Sequence, residues 1–381
     1  MKFNTKVIHS NSNNVDPAYK AVNPPIYQTT TFVQDTAEGH KGYEYSRTAN
    51  PTRTVLEESI ATLEHGDYGI VFSSGIAAVD AVLKLLKPGD EVITMTNIYG
   101  GTYRIFNQVY SQFGLKFHFV DLEQDSIENY INTNTKLIWI ETPTNPILNI
   151  VDINALSQIS KKHKLKLVVD NTFASPYLQN PLVLGADIVM HSASKYLSGH
   201  SDVILGALVV NEKETANRLH FIQKATGAIA GPMDCYLVFR GIKTLHVRMQ
   251  RHCENAKAVA EFLQHHPKVR QVYWPGLANH PNHAIAKQQM KDFGGVVSFS
   301  LQNDTQEAAL DLISKLDVIT FAESLAGVES LIGHSASMSH ASIPKKERLK
   351  MGISDSLMRL SVGIEDSDDL IADLKHALDV K

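Results

Sequence analysis

Two residues with side chains suited to covalent chemistry stand 25 positions apart in the sequence. Lys195 follows the apolar run DIVMHS (187–192), and its neighbours Ser192 and Ser194 are small enough to leave room for a ligand. Asp170 ends an earlier apolar run, LKLVVD. A lysine amine can form a Schiff base with an aldehyde, and a carboxylate at the end of a parallel strand faces a cleft. Each residue also has a simpler interpretation, because a strand-end lysine is more often a surface residue and Asp170 could cap the next turn.

The stretch FSSGIAA (72–78) adds a candidate anion site. It follows an apolar run and begins a helical pattern, so the backbone N–H groups of Gly75 and Ile76 would point at an anion. In isolation, Ser74 is better explained as a helix N-cap. An amine for an aldehyde, a carboxylate for a pyridine nitrogen and a phosphate cradle are what pyridoxal 5'-phosphate (PLP) needs from a protein. Because all three features fall on the same edge of one predicted parallel sheet, we predict a PLP site there.

Three further side chains could extend this site. Tyr99 follows another predicted strand and could stack on a cofactor ring, or simply pack in the core. Tyr45 and Arg47 lie in an irregular stretch, and arginine is well shaped for phosphate; if the stretch reaches across a dimer, both could complete a neighbour's phosphate site. Arg359 lies within the strand-like run LMRLSVG (357–363), where its charge needs a partner. The partner of Arg359 could be a substrate carboxylate or the side chain of a structural Asp or Glu.

The elements that must position these residues are short apolar runs separated by helical patterns. Several runs are apolar throughout, which is typical of strands buried on both faces of a parallel sheet. They are GIVF (69–72), EVITM (91–95), KFHFV (116–120), KLIWIE (136–141), LKLVVD (165–170), DIVMHS (187–192) and LGALVV (205–210). The helix after Gly75 is predicted to end at Lys87, Pro88 and Gly89.

A second group of elements predicts a smaller α/β domain with a mostly antiparallel sheet. One or two long helices are expected from about 232 to 265, followed by the strand-like runs GGVVSFSL (294–301), DVITFAE (317–323) and LMRLSVG. With 381 residues the chain is too long for one ordinary core. The predicted division is an N-terminal arm (1–50) that contributes to a neighbouring subunit's site, a PLP-binding α/β domain (51–235) and a C-terminal domain (236–381).

Composition favours a globular protein and argues against several classes of function. Hydrophobic residues make up 43% and charged residues 20% of the chain, and the net charge of −4 makes nucleic acid a poor partner. No apolar run is long enough to span a bilayer, and the polar start lacks a signal-peptide core. Cys235 and Cys253 have neither CxxC nor zinc-ligand spacing. We therefore expect no metal site and no membrane, and a reducing cytoplasm fits.

Missing motifs remove other enzymes that share a large parallel sheet. The chain has no phosphate-loop, dinucleotide, zincin or hydrolase-elbow motif. A nucleotide-dependent oxidoreductase would need the missing glycine fingerprint. A PLP-binding protein without catalysis stays open as an alternative of another class, although a full acid–base set argues against it.

Eight motifs run in order over nearly the whole chain. They are YSRTANPTR (45–53), SSGIAA (73–78), YGGTYR (99–104), ETPTNP (141–146), VVDNTFASP (168–176), HSASKYLSGH (191–200), RGIKTL (240–245) and LMRLSVGIED (357–366). Together they resemble the Cys/Met-metabolism PLP enzymes, which include cystathionine γ-lyase, γ-synthase, β-lyase and methionine γ-lyase. The resemblance implies the aspartate aminotransferase-like fold-type I and a homotetramer built from two catalytic dimers.

The resemblance also implies a role for each site residue. The catalytic pair is Lys195, which forms the Schiff base, and Tyr99, which stacks on the cofactor ring and transfers a proton. Asp170 pairs with the pyridine nitrogen. The implied phosphate ligands are Gly75, Ile76, Ser192 and Ser194, joined by Tyr45 and Arg47 of the adjacent subunit. The implied substrate contacts, all for a small amino acid, are Arg359, Asn145, Ser324, Glu323, Glu44 and Arg104.

Three positions bear on the choice of reaction. Gly101 stands where methionine γ-lyases carry cysteine, which disfavours that activity. Glu323 resembles the acidic residue that γ-lyases and γ-synthases place near the distal amine of cystathionine, and Glu44 matches the lyase pattern; either could also be a surface carboxylate. We expect γ-elimination of L-cystathionine to L-cysteine, 2-oxobutanoate and ammonia, with hydrogen sulfide release from homocysteine or cysteine as a further activity. Cystathionine γ-synthase and then β-lyase activity are the alternatives.

Overall fold

Seven strands form the larger of two sheets in the computed structural model, which describes residues 1–10, 19–36, 42–122, 124–341 and 344–380. The strands are β1 (Tyr68–Phe72), β2 (Glu91–Met95), β3 (Lys116–Val120), β4 (Thr135–Glu141), β5 (Lys166–Asp170), β6 (Ile188–Ser192) and β7 (Gly206–Val210). Their order is β1-β7-β6-β5-β4-β2-β3, and only the pairs that involve β7 are antiparallel. Because the connection from β6 to β7 contains no crossover helix, an antiparallel pair suits it. The predicted large, mostly parallel sheet is confirmed.

Both faces of this sheet are buried, which explains the continuous apolar runs in its sequence. In β7, Ala207 and Val209 pack into one core cluster, whereas Leu208 and Val210 pack into another on the opposite face. Side chains alternate between the faces of a strand, so a strand covered on both sides, such as β7, carries apolar side chains at consecutive positions. The seven predicted runs match the seven strands to within one residue at each end.

Helices cover the sheet, and capping residues fix where several of them begin. They are α1 (Phe3–His9), α2 (Pro51–Leu63), α3 (Gly75–Leu83), α4 (Gly100–Arg104), α5 (Ile153–His163), α6 (Ser175–Leu178) and α7 (Lys213–Thr226). Asn50 caps α2, whose first residue is proline, and Asp152 caps α5. The predicted end of α3 at residues 87–89 is wrong. The helix ends at Leu83, because the backbone N–H groups of Leu85 and Leu86 bond three residues back in tightened turns.

The second sheet has five strands in the order β10-β11-β12-β9-β8. They are β8 (Val269–Tyr273), β9 (Val296–Leu301), β10 (Thr320–Phe321), β11 (Leu331–His334) and β12 (Met358–Ser361), and only β10 and β11 pair in parallel. The helices of this part are α8 (Pro232–Ile242), α9 (Leu245–His265), α10 (His283–Gln289), α11 (Gln306–Ser314), α12 (Lys345–Lys350) and α13 (Ser367–Asp379). The predicted mostly antiparallel sheet is confirmed.

The strand predicted over residues 317–323 is mostly not a strand. Only Thr320 and Phe321 pair with β11. The carboxylate of Asp373 instead accepts hydrogen bonds from the three backbone N–H groups of residues 317–319, at 2.8–3.1 Å. A side chain therefore takes the donors that a longer strand would have used.

The predicted division at residue 235 lies within α8, which packs in the same core cluster as α2 and β7. This division stays a prediction. Parts of the predicted arm, residues 11–18 and 37–41, lie outside the described residues. Among the helices that are described, none combines the length and the apolar character needed to cross a bilayer.

Candidate functional site

A cavity of about 1020 Å³ lies at the carboxyl ends of β4, β5 and β6, where the large sheet meets loops of the second sheet. Asp170 and Lys195 reach it from the large sheet, and Ser324 and Arg359 reach it from the second sheet. Ligands of open parallel sheets bind beyond these strand ends. The fold therefore brings together two polypeptide segments that are more than 120 residues apart in the chain.

Lys195 lies in the turn that follows β6. Its backbone N–H donates to the Ser192 carbonyl at 3.1 Å, and its own carbonyl accepts from Gly199 at 2.8 Å, so the turn is held on both sides. The amine donates to the Ser324 hydroxyl at 2.6 Å. Burial, helped by the positive charge of Arg359, lowers the pKa of Lys195 to about 8. The amine can therefore be neutral, and hence nucleophilic, close to neutral pH.

Asp170 ends β5 and lies in register beside Glu141 of β4 and Met190 of β6. One carboxylate oxygen accepts from the backbone N–H of Thr172 at 3.0 Å and from its hydroxyl at 2.5 Å. The turn-capping interpretation is thus correct, and the same carboxylate also lines the cavity. Burial raises the pKa of Asp170, and the hydrogen bonds from Thr172 oppose this shift. A cation in the cavity would favour the charged form.

The start of α3 forms a concave wall of the same cavity. Ser74 caps the helix by accepting from the Ala77 N–H at 3.1 Å, and Gly75 and Ile76 line the cavity. A Cβ on residue 75 would lie 3.1 Å from the Ser192 Cβ, so glycine permits this close approach of helix and strand. Ser192 and Ser194 also line the cavity, and the Ser194 hydroxyl is held by the backbone N–H of residue 205 at 2.9 Å.

Arg359, from β12, is buried with its guanidinium in the cavity wall. It donates to the Asn145 side-chain oxygen at 2.9 Å and to the Ser324 carbonyl at 2.7 Å. Its Nε has no hydrogen-bond partner within the described ranges, and no carboxylate there forms an ion pair with it. Burial lowers the pKa of Arg359 to about 10, so it stays cationic at neutral pH. A buried cation whose hydrogen bonds both go to neutral groups suits an anionic ligand.

Three more predicted residues line the cavity, namely Tyr99, Arg104 and Glu323. Tyr99 precedes α4, and its ring lies over Gly101, where a Cβ would come within 2.4 Å of the ring. A larger residue at position 101 would therefore force the Tyr99 ring to move.

Three predicted residues do not reach the cavity of the same chain. Tyr45 is 40% exposed, and the Arg47 guanidinium lies 5.5 Å from its ring centre. Arg47 also donates to the Lys224 carbonyl at 2.6 Å. Glu44 is exposed and uses its backbone carbonyl to pair with Phe32. Because these residues were expected to serve a neighbouring subunit, their roles stay predictions.

Glu141 has no predicted role, although this residue ends β4 as Asp170 ends β5. Its side chain is 4% exposed and lines the cavity. It accepts backbone hydrogen bonds from Tyr99 at 2.9 Å and from Asn145 at 2.8 Å. The signal was present, since an acid at the end of an apolar run within ETPTNP repeats the pattern that led to Asp170.

The donor set of the cavity fits PLP. Lys195 offers an amine of lowered pKa for the aldehyde, Asp170 offers a buried carboxylate that favours a cationic neighbour, and the Gly75 wall offers N–H groups at a helix start. The family model of the Cys/Met metabolism PLP-dependent enzymes matches residues 4–379. The chain belongs to this family.

Individual members of the Cys/Met metabolism family carry names for three different reactions. A cystathionine γ-lyase from Bacillus subtilis is 49% identical over 380 residues, covering 100% of both chains. A cystathionine β-lyase from Coxiella burnetii is 50% identical, covering 99% of this chain and 97% of its own. The crystal structure of a cystathionine γ-synthase from Xanthomonas oryzae pv. oryzae, in complex with aminoacrylate and cysteine, has a TM-score of 0.96, 42% identity and coverage of 99% and 98%.

Membership of this family confirms three expectations. The chain is a PLP-dependent enzyme, its cofactor is pyridoxal 5'-phosphate, and its fold is the fold-type I of these enzymes. The relatives do not resolve which of the three reactions this member catalyses, because lyases of both kinds match it at about 50% identity.

Proposed function

We propose that this enzyme is a trans-sulfuration enzyme that catalyses γ-elimination of L-cystathionine, giving L-cysteine, 2-oxobutanoate and ammonia. The supporting observation is the cavity itself, in which the unpaired cation Arg359 and the acid Glu323 line one space of about 1020 Å³ with Lys195. Cystathionine is a long amino acid with a carboxylate and an amine at each end. An arginine for one carboxylate and a glutamate for the distant amine match that distribution of charge.

Asp170 and the start of α3 are the residues that would hold the cofactor, together with Lys195. When bound, PLP supplies an electron sink that stabilises negative charge on the substrate carbon atoms near its amine. The Asp170 carboxylate would keep the pyridine nitrogen protonated, and Gly75, Ile76 and Ser192 would bind the phosphate.

Lys195 is the general base of the proposal. Its lowered pKa allows a neutral amine that removes the proton from Cα of the substrate and then moves a proton from Cβ. Tyr99 lines the same cavity and donates a proton to the departing sulfur. Hydrolysis of the remaining four-carbon fragment yields 2-oxobutanoate and ammonia.

Arg359 and Asn145 position the substrate. The Asn145 side chain orients the guanidinium, which would bind the α-carboxylate from the cavity. Ser324 holds the other side of the guanidinium through its carbonyl. Fixing the carboxylate fixes which bond at Cα is set for cleavage. Glu323 and Arg104 would contact the distal part of the substrate, and release of hydrogen sulfide from homocysteine or cysteine would use the same groups.

The assembly that we propose is a homotetramer of two catalytic dimers, in the cytoplasm. Exposed apolar side chains in the arm support a protein partner, since Val22 is 99% and Val33 is 98% exposed in the single chain. Tyr45, Arg47 and Glu44 lie in the same arm and would enter the cavity of the second copy. Two buried free cysteines and no disulfide among the described residues suit a reducing compartment.

Cystathionine γ-synthase activity is the second candidate, since an enzyme of that name shares the fold with a TM-score of 0.96. It would act on an O-acyl-L-homoserine and admit L-cysteine as nucleophile. β-Lyase activity is the third, because a relative of that name is 50% identical.

Product analysis distinguishes the three. The purified holoenzyme is incubated with L-cystathionine and, separately, with an O-acyl-L-homoserine plus L-cysteine. We expect 2-oxobutanoate and cysteine from the first mixture. Pyruvate and homocysteine from the first mixture would show a β-lyase, and faster formation of cystathionine in the second would show a γ-synthase; either result would overturn the proposal.

A further inference from the structure

Glu141 connects two loops that carry predicted active-site residues. One carboxylate oxygen accepts from the backbone N–H of Tyr99, and the other accepts from the backbone N–H of Asn145. Tyr99 precedes α4 after β2, whereas Asn145 follows β4, so the two loops belong to neighbouring strands of the sheet. A single buried side chain therefore sets the distance between these two backbone positions.

The hydrogen bonds continue from Glu141 to the opposite side of the cavity. The Asn145 side chain accepts from Arg359, Arg359 donates to the Ser324 carbonyl, and the Ser324 hydroxyl accepts from the Lys195 amine. Tyr99 and Lys195, the two residues proposed to move protons, are thus the ends of one continuous network. Within this network, Glu141 is the residue that accepts hydrogen bonds from both the loop after β2 and the loop after β4.

A carboxylate at this position is costly, which suggests a specific role. Glu141 is buried in register beside Asp170, and burial together with the Asp170 charge raises its pKa. Its two backbone donors and the nearby Arg359 charge oppose this shift. Only a carboxylate offers two equivalent acceptor oxygens in this space, because a glutamine amide has one acceptor and one donor.

We propose that Glu141 is a positioning residue, which holds Tyr99 and the Asn145–Arg359 pair in the relative placement that substrate turnover requires. The proposal rests on the proposed function, in that it takes Tyr99 and Arg359 as groups that act on the substrate. The hydrogen bonds of Glu141 go to the backbone N–H groups of its partners, so it acts through their backbone.

The test compares Glu141→Gln with a matched control in the same sheet. Glu91 is also buried, at 5% exposure, and accepts two hydrogen bonds of 2.7 Å from Asn132 and His118, but it begins β2 and does not line the cavity. Glu141→Gln leaves one backbone N–H facing a donor, so we expect kcat/KM to fall about 10- to 100-fold with an unchanged ratio of bound cofactor to protein. Glu91→Gln is expected to change kcat/KM by less than about threefold.

Double substitutions with Tyr99 and Asn145 distinguish a positioning role of Glu141 from a general loss of structure. The fall in kcat caused by Glu141→Gln should shrink in a Tyr99→Phe background, and the rise in KM should shrink in an Asn145→Ala background, because the positioned group is then already impaired. Glu91→Gln should combine additively with both.

Two results would overturn the proposal. One is a Glu141→Gln enzyme with the kcat/KM of the parent, and the other is full additivity with both partner substitutions. If the glutamine variant does not fold, Glu141→Asp is tested in the same backgrounds, since it keeps the charge and cannot reach both loops. All assays use whichever substrate the unmodified enzyme turns over, so a failure with cystathionine would contradict the proposed function without deciding the role of Glu141.

Discussion

The two walls of the cavity are built differently. The cofactor wall, defined as Asp170, Lys195 and the start of α3, follows strands whose side chains are buried on both faces. The substrate wall, defined as Glu323, Ser324 and Arg359, consists of a connection between β10 and β11 together with one strand residue. Ser324 has a φ of 87°, a left-handed conformation that is strained for a residue with a side chain.

We propose that this contrast separates cofactor binding from the selection of the substrate. A site on strand ends is held by the sheet and keeps its geometry when loops change, so we expect the cofactor wall to bind PLP in the same way when the loops around it differ. Loops tolerate change more easily, so we expect the substrate wall to select the amino acid that reacts. We therefore expect substitutions in the first wall to affect cofactor binding and turnover together, and substitutions in the second wall to affect substrate use alone.

Replacement of Lys195 gives the largest expected effect. Lys195→Ala removes both the amine for the aldehyde and the general base, so we expect loss of the yellow colour of the bound cofactor and a fall in kcat of at least about 10³-fold. Absorbance spectra and product formation check this. Lys213→Ala, an exposed lysine at the start of α7, should stay yellow and active. A yellow and fully active Lys195→Ala enzyme would contradict the assignment.

Replacement of Arg359 sharpens the comparison of the two walls. Arg359→Ala leaves the cofactor wall intact, so the protein should bind PLP normally while kcat/KM falls about 100- to 1000-fold, mainly through KM, because the substrate carboxylate loses its cation. Steady-state kinetics measure this. The control is Arg270→Ala in β8 of the same sheet, where the arginine is paired with Asp304. An unchanged KM would remove Arg359 from the substrate wall.

Ser324→Ala should have a smaller effect. Ser324 belongs to the substrate wall, but its hydroxyl contacts Lys195 of the cofactor wall. The substitution removes the hydroxyl that accepts from the Lys195 amine and keeps the carbonyl that accepts from Arg359. We therefore expect kcat to fall about tenfold with little change in KM, as the loss of one hydrogen bond to a charged group predicts. A rise in KM with unchanged kcat would show that the hydroxyl serves the substrate instead. Ser314→Ala on α11 is the control.

The smallest expected effect is a shift in a pH midpoint. Only the neutral amine of Lys195 reacts with the cofactor aldehyde, and its pKa of about 8 means that the rate of PLP uptake by the cofactor-free protein should rise with pH and level off above about pH 8. Arg359→Ala removes a neighbouring positive charge and should move the midpoint to higher pH. Stopped-flow absorbance measures the rates, and a parent midpoint above pH 10 would contradict the environment described for Lys195.

The sequence predicted the cofactor wall more completely than its surroundings, for physical reasons. A strand such as β2 is buried along its whole length and mostly apolar, so its bounds were predicted correctly, and the residues after such parallel strands meet at one edge. The edge strand β8 was missed because Arg270 and Gln271 are exposed within it, and β11 because only two of its residues are apolar.

The place of Glu141 at the end of an apolar run is visible in the sequence, but its hydrogen-bond partners are not. Its partners are backbone N–H groups 42 residues before it and 4 residues after it, and backbone donors leave no trace in side-chain patterns. The partners of Arg359 could not be predicted either. The sequence left a substrate carboxylate and a structural acid as alternatives, and in the structure the hydrogen bonds of Arg359 go to neutral groups. Tyr45, Arg47 and Glu44 are predicted to act in the cavity of a second chain, and one sequence cannot place a second chain.

Covalent attachment of the cofactor at one lysine is the most direct test of this account. The purified holoenzyme is treated with borohydride, which fixes an amine–aldehyde linkage, and is then digested and analysed by mass spectrometry. The account predicts a phosphopyridoxyl group on the peptide that contains Lys195 and on no other lysine peptide in comparable amount. A stoichiometric adduct on a different lysine, or PLP bound without any covalent attachment, would contradict it.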